Sequence, residues 1–130
     1  MPISYRIDQQ RNLVRTAASG ILTDEDVLGH KRALMADPEF RAGMRELSDV
    51  RAIDELRVTP AGVRSMVALD GASAGKLAAY RLAIVASENA TFGMARMYQL
   101  MTEENVQHVG VFRNLTEAAA WLGVASVDAD

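Results

Sequence analysis

The chain has 130 residues, 14 Lys/Arg against 17 Asp/Glu for a formal charge of −3, 49% hydrophobic residues and no cysteine. That length suits one domain, able to bury roughly two-thirds of its unfolded surface without staples, and the lack of thiols excludes disulfides, thiolate metal sites and cysteine nucleophiles. Mild, interspersed charge argues against a dedicated nucleic-acid binder, and no apolar run approaches the roughly 20 residues of a membrane span.

The N-terminus lacks a signal-peptide apolar region, so a cytoplasmic protein is expected. Residues 3–7 alternate apolar and polar and read as a strand; 8–11 are turn material, and 12–20 form a second strand, making an antiparallel hairpin. Thr23 caps the next helix, with Asp24, Glu25 and Asp26 where the helix dipole is positive. Val27, Leu28, Leu34 and Met35 share one face of that helix, which Asp37-Pro38 interrupts.

Residues 45–50 read as a short strand on their place in the βα alternation, and 51–58 as a loop or an irregular helix edge. Thr59-Pro60 is a cap followed by a proline at the first helical position, with Val63, Met66 and Val67 at helical spacing. Residues 81–86, Arg-Leu-Ala-Ile-Val-Ala, form a continuous apolar strand that needs cover on both faces. A helix over 91–101, a strand over 107–112 and a helix from Leu115, stopped at Gly123, complete the chain. The order is β-β-α-β-α-β-α-β-α. It predicts a single α/β domain over 1–124 with a frayed tail over 125–130. Its five-stranded sheet is mostly parallel with an antiparallel N-terminal edge strand, and about four helices pack mainly on one face.

Four stretches in this order carry a resemblance. They are Gly20-Ile21-Leu22-Thr23-Asp24-Glu25-Asp26, Arg81-Leu82-Ala83-Ile84-Val85-Ala86, Phe92-Gly93-Met94-Ala95-Arg96-Met97, and Val111-Phe112-Arg113 with Glu117-Ala118-Ala119-Ala120-Trp121-Leu122. Together they resemble the SpoIIAA-like branch of the STAS superfamily, related by fold to CRAL-TRIO lipid-binding domains. The resemblance implies a βαβ superhelix, no catalytic activity in most members, and roles in protein interaction or apolar-ligand binding. Anti-sigma-factor antagonists of that superfamily carry a phosphorylatable Ser after an Asp at the start of the helix following the third strand. Here Ser48-Asp49 falls in the strand and Thr59-Pro60 stands at the helix start, so the phospho-switch pattern is not reproduced.

Each candidate site has a plainer counterpart. Thr59 is the candidate phosphoryl acceptor, since a phosphate suits a helix N-terminus; as a bare residue it is a helix cap. Met66, Met94, Met97 and Met101, with Tyr98 at the rim, are candidates for an adaptable apolar pocket; the same spacing serves ordinary core packing. The 70–75 loop is a candidate lid or a flexible connection. His30 and His108 lie far apart without a carboxylate at ligand spacing, which reads as two solvated or edge histidines and no metal site. Arg51, Arg81 and Arg96 can receive an acidic group or pair with surface carboxylates such as Asp49 and Asp54. Glu103-Glu104 reads as a solvated helix end. Ser65, Ser73 and Ser87 lack a paired His, and the glycines form no phosphate-binding pattern. Trp121 anchors the last helix or joins an oligomer contact.

The expectation is a non-enzymatic protein-interaction or regulatory module without a cofactor, binding an unidentified protein or itself. The alternative is binding or sensing of an apolar ligand, such as a fatty acid or lipid, in a Met-lined pocket, with a membrane surface as its setting.

Overall fold

In the computed structural model residues 2–103 and 108–124 are described. The elements run β1 (Ile3–Asp8), β2 (Leu13–Thr23), α1 (Asp24–Ala36), β3 (Arg45–Arg57), α2 (Pro60–Ala72), β4 (Arg81–Val85), α3 (Asn89–Met101), β5 (His108–Phe112) and α4 (Leu115–Leu122). Gln107, Glu104 and the tail expected over 125–130 lie outside the described residues.

The five strands form one sheet in chain order, with β1 antiparallel to β2 and every other pair parallel. Strand order was not readable from periodicity, which reports a strand's faces and not its neighbours. Alternation then splits the side chains between two cores. Val14, Ala18, Leu82 and Val109 face α1, α2 and α3. Leu13, Leu47, Ala83 and Val85 face α4, which brings Leu115, Ala118, Ala119 and Leu122. Three helices thus share one face and one covers the other, and β4 is covered on both sides as its apolar run demands.

The reading of 51–58 as a loop is corrected: β3 continues to Arg57, paired with β2 out to Thr23. The register slips between Ala17 and Ser19 and again between Gly20 and Ile21, where Gly20 takes φ +71°. Each slip shifts the face sequence by a residue, which erases the two-residue alternation that marks a strand.

Local signals explain the helix boundaries. Thr23 and Asp26 form a reciprocal capping box at α1. Asn114 caps α4, and Gly123 at φ +74° ends it with Val124 N donating to the Ala119 carbonyl at 2.9 Å. Trp121 does anchor α4: its ring lies 5.5 Å from that of Phe112 and beneath the Arg81 guanidinium at 4.4 Å. Gly110 leaves room for this, since a Cβ there would lie 2.8 Å from Phe112 and 3.2 Å from Trp121.

Candidate apolar cavity and its polar frame

Between α1–α3 and the sheet lies a cavity of about 120 Å³. Its walls are chiefly aliphatic, with Leu22 and Leu82 from strands, Val27 and Leu34 from α1, Met66 from α2 and Met94 from α3. Of the pocket residues read from the sequence, Met66, Met94 and Tyr98 line this space. Met97 packs half-buried against the same core without lining the cavity, and Met101 is 38% exposed at the end of α3.

Two polar constellations frame the cavity. In the first, Glu46 on β3 is buried. Its Oε2 accepts from Thr16 Oγ1 at 2.5 Å and meets His30 Nε2 at 3.1 Å; its Oε1 accepts from the Tyr80 hydroxyl. Burial alone would raise the Glu46 carboxyl, but the His30 contact, the Thr16 bond and the Lys31 charge hold it below its ordinary value. His30 packs edge-on to the Tyr5 ring with centroids 5.5 Å apart. The reading of His30 as a solvated or edge residue without a carboxylate is therefore corrected; Glu46 reaches it from 16 residues away across a helix–strand contact. His108 is exposed.

In the second constellation Lys31 Nζ donates to the Tyr98 hydroxyl at 2.8 Å and pairs with Asp70 Oδ1 at 3.0 Å, while the Tyr98 hydroxyl donates to Asp70 Oδ2. This triangle ties α1, α2 and α3 together. Desolvation would depress the Lys31 ammonium, but Tyr98 and Asp70 reverse that and hold it above its ordinary value. Burial, with Asp70 alongside, raises the Tyr98 phenol.

The other candidates are spread over the surface. Thr59 caps α2, its hydroxyl donating to Asp24 Oδ2 at 2.7 Å and accepting from Gly62 N at 3.0 Å. Arg51 is clamped by Asp49 at 2.8 Å, Arg81 donates to the Trp121 carbonyl, and Arg96 donates to Gln99 at 2.9 Å, so the three arginines do not converge. Among the described residues no group of three or more His, Asp or Glu is placed to hold a metal, and no helix is long and apolar enough to cross a membrane. A polar recess of about 410 Å³ beside the β1–β2 turn is lined by Arg6, Asp8, Arg11 and Arg15, a charged surface unlike the cavity.

No protein-family model and no curated protein matches the chain. Among solved structures it is similar to an uncharacterised protein of the DUF3478 family with a SpoIIAA-like fold from Shewanella loihica PV-4. The two share 18% identity over 92% of this chain and 93% of that one, at a TM-score of 0.60. The sheet order, the antiparallel β1 and the flanking helices agree with that likeness: the fold of this chain is SpoIIAA-like.

Proposed function

We propose that the chain is a non-enzymatic binding module whose cavity takes a small apolar molecule. The observation that carries this reading is the aliphatic space of about 120 Å³ beneath Met66 and Met94. A dry cavity of about 150 Å³ accommodates benzene, so this one suits a guest of that order and not a long acyl chain. Methionine side chains adapt to such guests at little cost.

Three ionisable groups around the cavity, Glu46, Lys31 and Tyr98, support binding over catalysis. A general acid or base works best with a pKa near the operating pH. Here Glu46 is held below 4.5, Lys31 above 10.5 and Tyr98 above 10.0, each away from neutrality and each committed to a partner. Docking of a protein or of a second copy draws on less: the exposed large apolar side chains among the described residues are Ile21 on β2 and Leu100 and Met101 on α3, far short of the ~800 Å² per partner of a standard interface.

Methyl-labelled NMR during a toluene titration tests the reading. The Met66 and Met94 methyl signals shift saturably and the Met101 signal does not. Unmoved Met66 and Met94 signals at saturating toluene would remove the proposal.

A further inference from the structure

The polar side chains lining the cavity are unequally occupied. Thr16, His30 and Tyr80 each bond to Glu46, and Lys31 and Tyr98 close on Asp70. Thr91 and Ser48 are left over. Thr91 is 9% exposed, lines the cavity from the first turn of α3, and its hydroxyl has no hydrogen-bond partner among the described residues. Thr91 is the third residue of α3, so the carbonyl four residues before it, of Ser87, lies outside the helix; it accepts from Arg113 Nη1 at 2.8 Å. Ser48, half-buried, lines the cavity from β3 and has no side-chain partner among the described residues either; it stands beside Ile84, near the end of the strand that leads into α3. Buried hydroxyls are normally satisfied, and one without a partner asks what should fill its place.

We propose that the cavity selects an uncharged ligand with a compact apolar body and one neutral hydrogen-bonding group, such as an alcohol or carbonyl, held by the hydroxyls of Thr91 and Ser48. This rests on the reading of the cavity as a ligand site and adds its selectivity. A hydroxyl both donates and accepts, so it serves an alcohol and a ketone alike. Charge is excluded by what is already spent. Lys31 is engaged by Asp70 and Tyr98, so an anion entering the cavity finds that cation neutralised and Glu46 nearby. A cation meets a Glu46 whose two oxygens already take three contacts.

Calorimetric titration of the full chain with toluene, benzyl alcohol and benzoate tests this. Benzyl alcohol binds about 5-fold tighter than toluene, the worth of one net neutral hydrogen bond, and benzoate does not saturate. In Thr91→Val benzyl alcohol falls to the level of toluene, whose own affinity is unchanged; Ser48→Ala lowers the same ratio. Equal affinity for toluene and benzyl alcohol in the unmodified protein would overturn the selectivity while leaving an apolar site intact, the two hydroxyls then serving a buried water. Tight benzoate binding overturns it also. If neither toluene nor benzyl alcohol binds, the site reading and this inference fall together. Should Thr91→Val fail to fold, the wild-type ratio and Ser48→Ala decide.

Discussion

Removing either charged corner of the Lys31–Asp70–Tyr98 triangle leaves a charge buried among apolar side chains, which costs more than the intact pair ever contributes. Asp70→Ala strands the Lys31 ammonium, whose side chain is only 13% exposed, and lowers stability by about 3–5 kcal/mol in urea unfolding. Replacing the whole set, Lys31→Met with Asp70→Leu and Tyr98→Phe, restores most of that loss, because no polar atom is then orphaned. A triple variant as unstable as Asp70→Ala would show that the triangle does more than compensate itself. This set was partly legible: Lys31 falls between Val27 and Leu34 on the apolar stripe of α1, and Asp70 continues the Val63–Met66–Val67 stripe of α2. Opposite charges standing in apolar positions on neighbouring helices are the sign of a buried pair. Glu46 had no such sign, because its strand carries few large apolar residues and its inward face shows only once Arg45–Asp49 is paired with Arg81–Val85.

At the scale of an element, the start of α2 shows how a cap ties two helices together. Asp24, from the first turn of α1, accepts from Thr59 N at 2.8 Å and from the Thr59 hydroxyl, so a phosphate on Thr59 would meet a carboxylate already in contact. Gly62 is required by the same carboxylate, since a Cβ there would lie 1.9 Å from Asp24 Oδ1. Gly62→Ala therefore displaces Asp24 and lowers stability by about 1 kcal/mol, the loss of its two bonds exceeding the helix gain from alanine. In an Asp24→Ala background the clash is gone and the same substitution stabilises by up to about 1 kcal/mol. Thermal unfolding of the four proteins measures this reversal of sign; additive effects would mean that Asp24 is not held where it stands. Thr59 and Pro60 mark the start of α2 in the sequence, but no local pattern points from Thr59 to a residue 35 positions earlier.

For the molecule as a whole, the element order and the two-sided cover of β4 were written in its periodicities. The cavity was not, because the same methionine spacing describes a filled core and an open one. What does follow from the assembled molecule is its response to pH. The Glu46 carboxyl is held below 4.5 in the folded chain, chiefly against the pull of its own burial, by His30, Thr16 and Lys31. Between the two values the unfolded chain binds the extra proton, so Glu46 contributes stability above pH 4.5 that is lost as pH falls through its folded value. Lys31 works in the opposite sense: held above 10.5 in the fold, it contributes stability below pH 10.5 that is lost as pH rises through its folded value. Tyr98, raised above 10.0 mainly by burial, loses stability over the same alkaline range because the unfolded chain releases its proton first. Urea midpoints should accordingly fall as pH drops below about 4.5 and as it rises above about 10. Glu46→Gln lowers the midpoint at neutral pH, since an amide cannot accept from Thr16, His30 and Tyr80 together. It also flattens the acid limb while leaving the alkaline limb in place. An unchanged acid limb in Glu46→Gln would assign acid unfolding to surface carboxylates such as Asp49, which Arg51 holds below its ordinary value against partial burial. Glu46 would then be a passive part of the frame around the cavity.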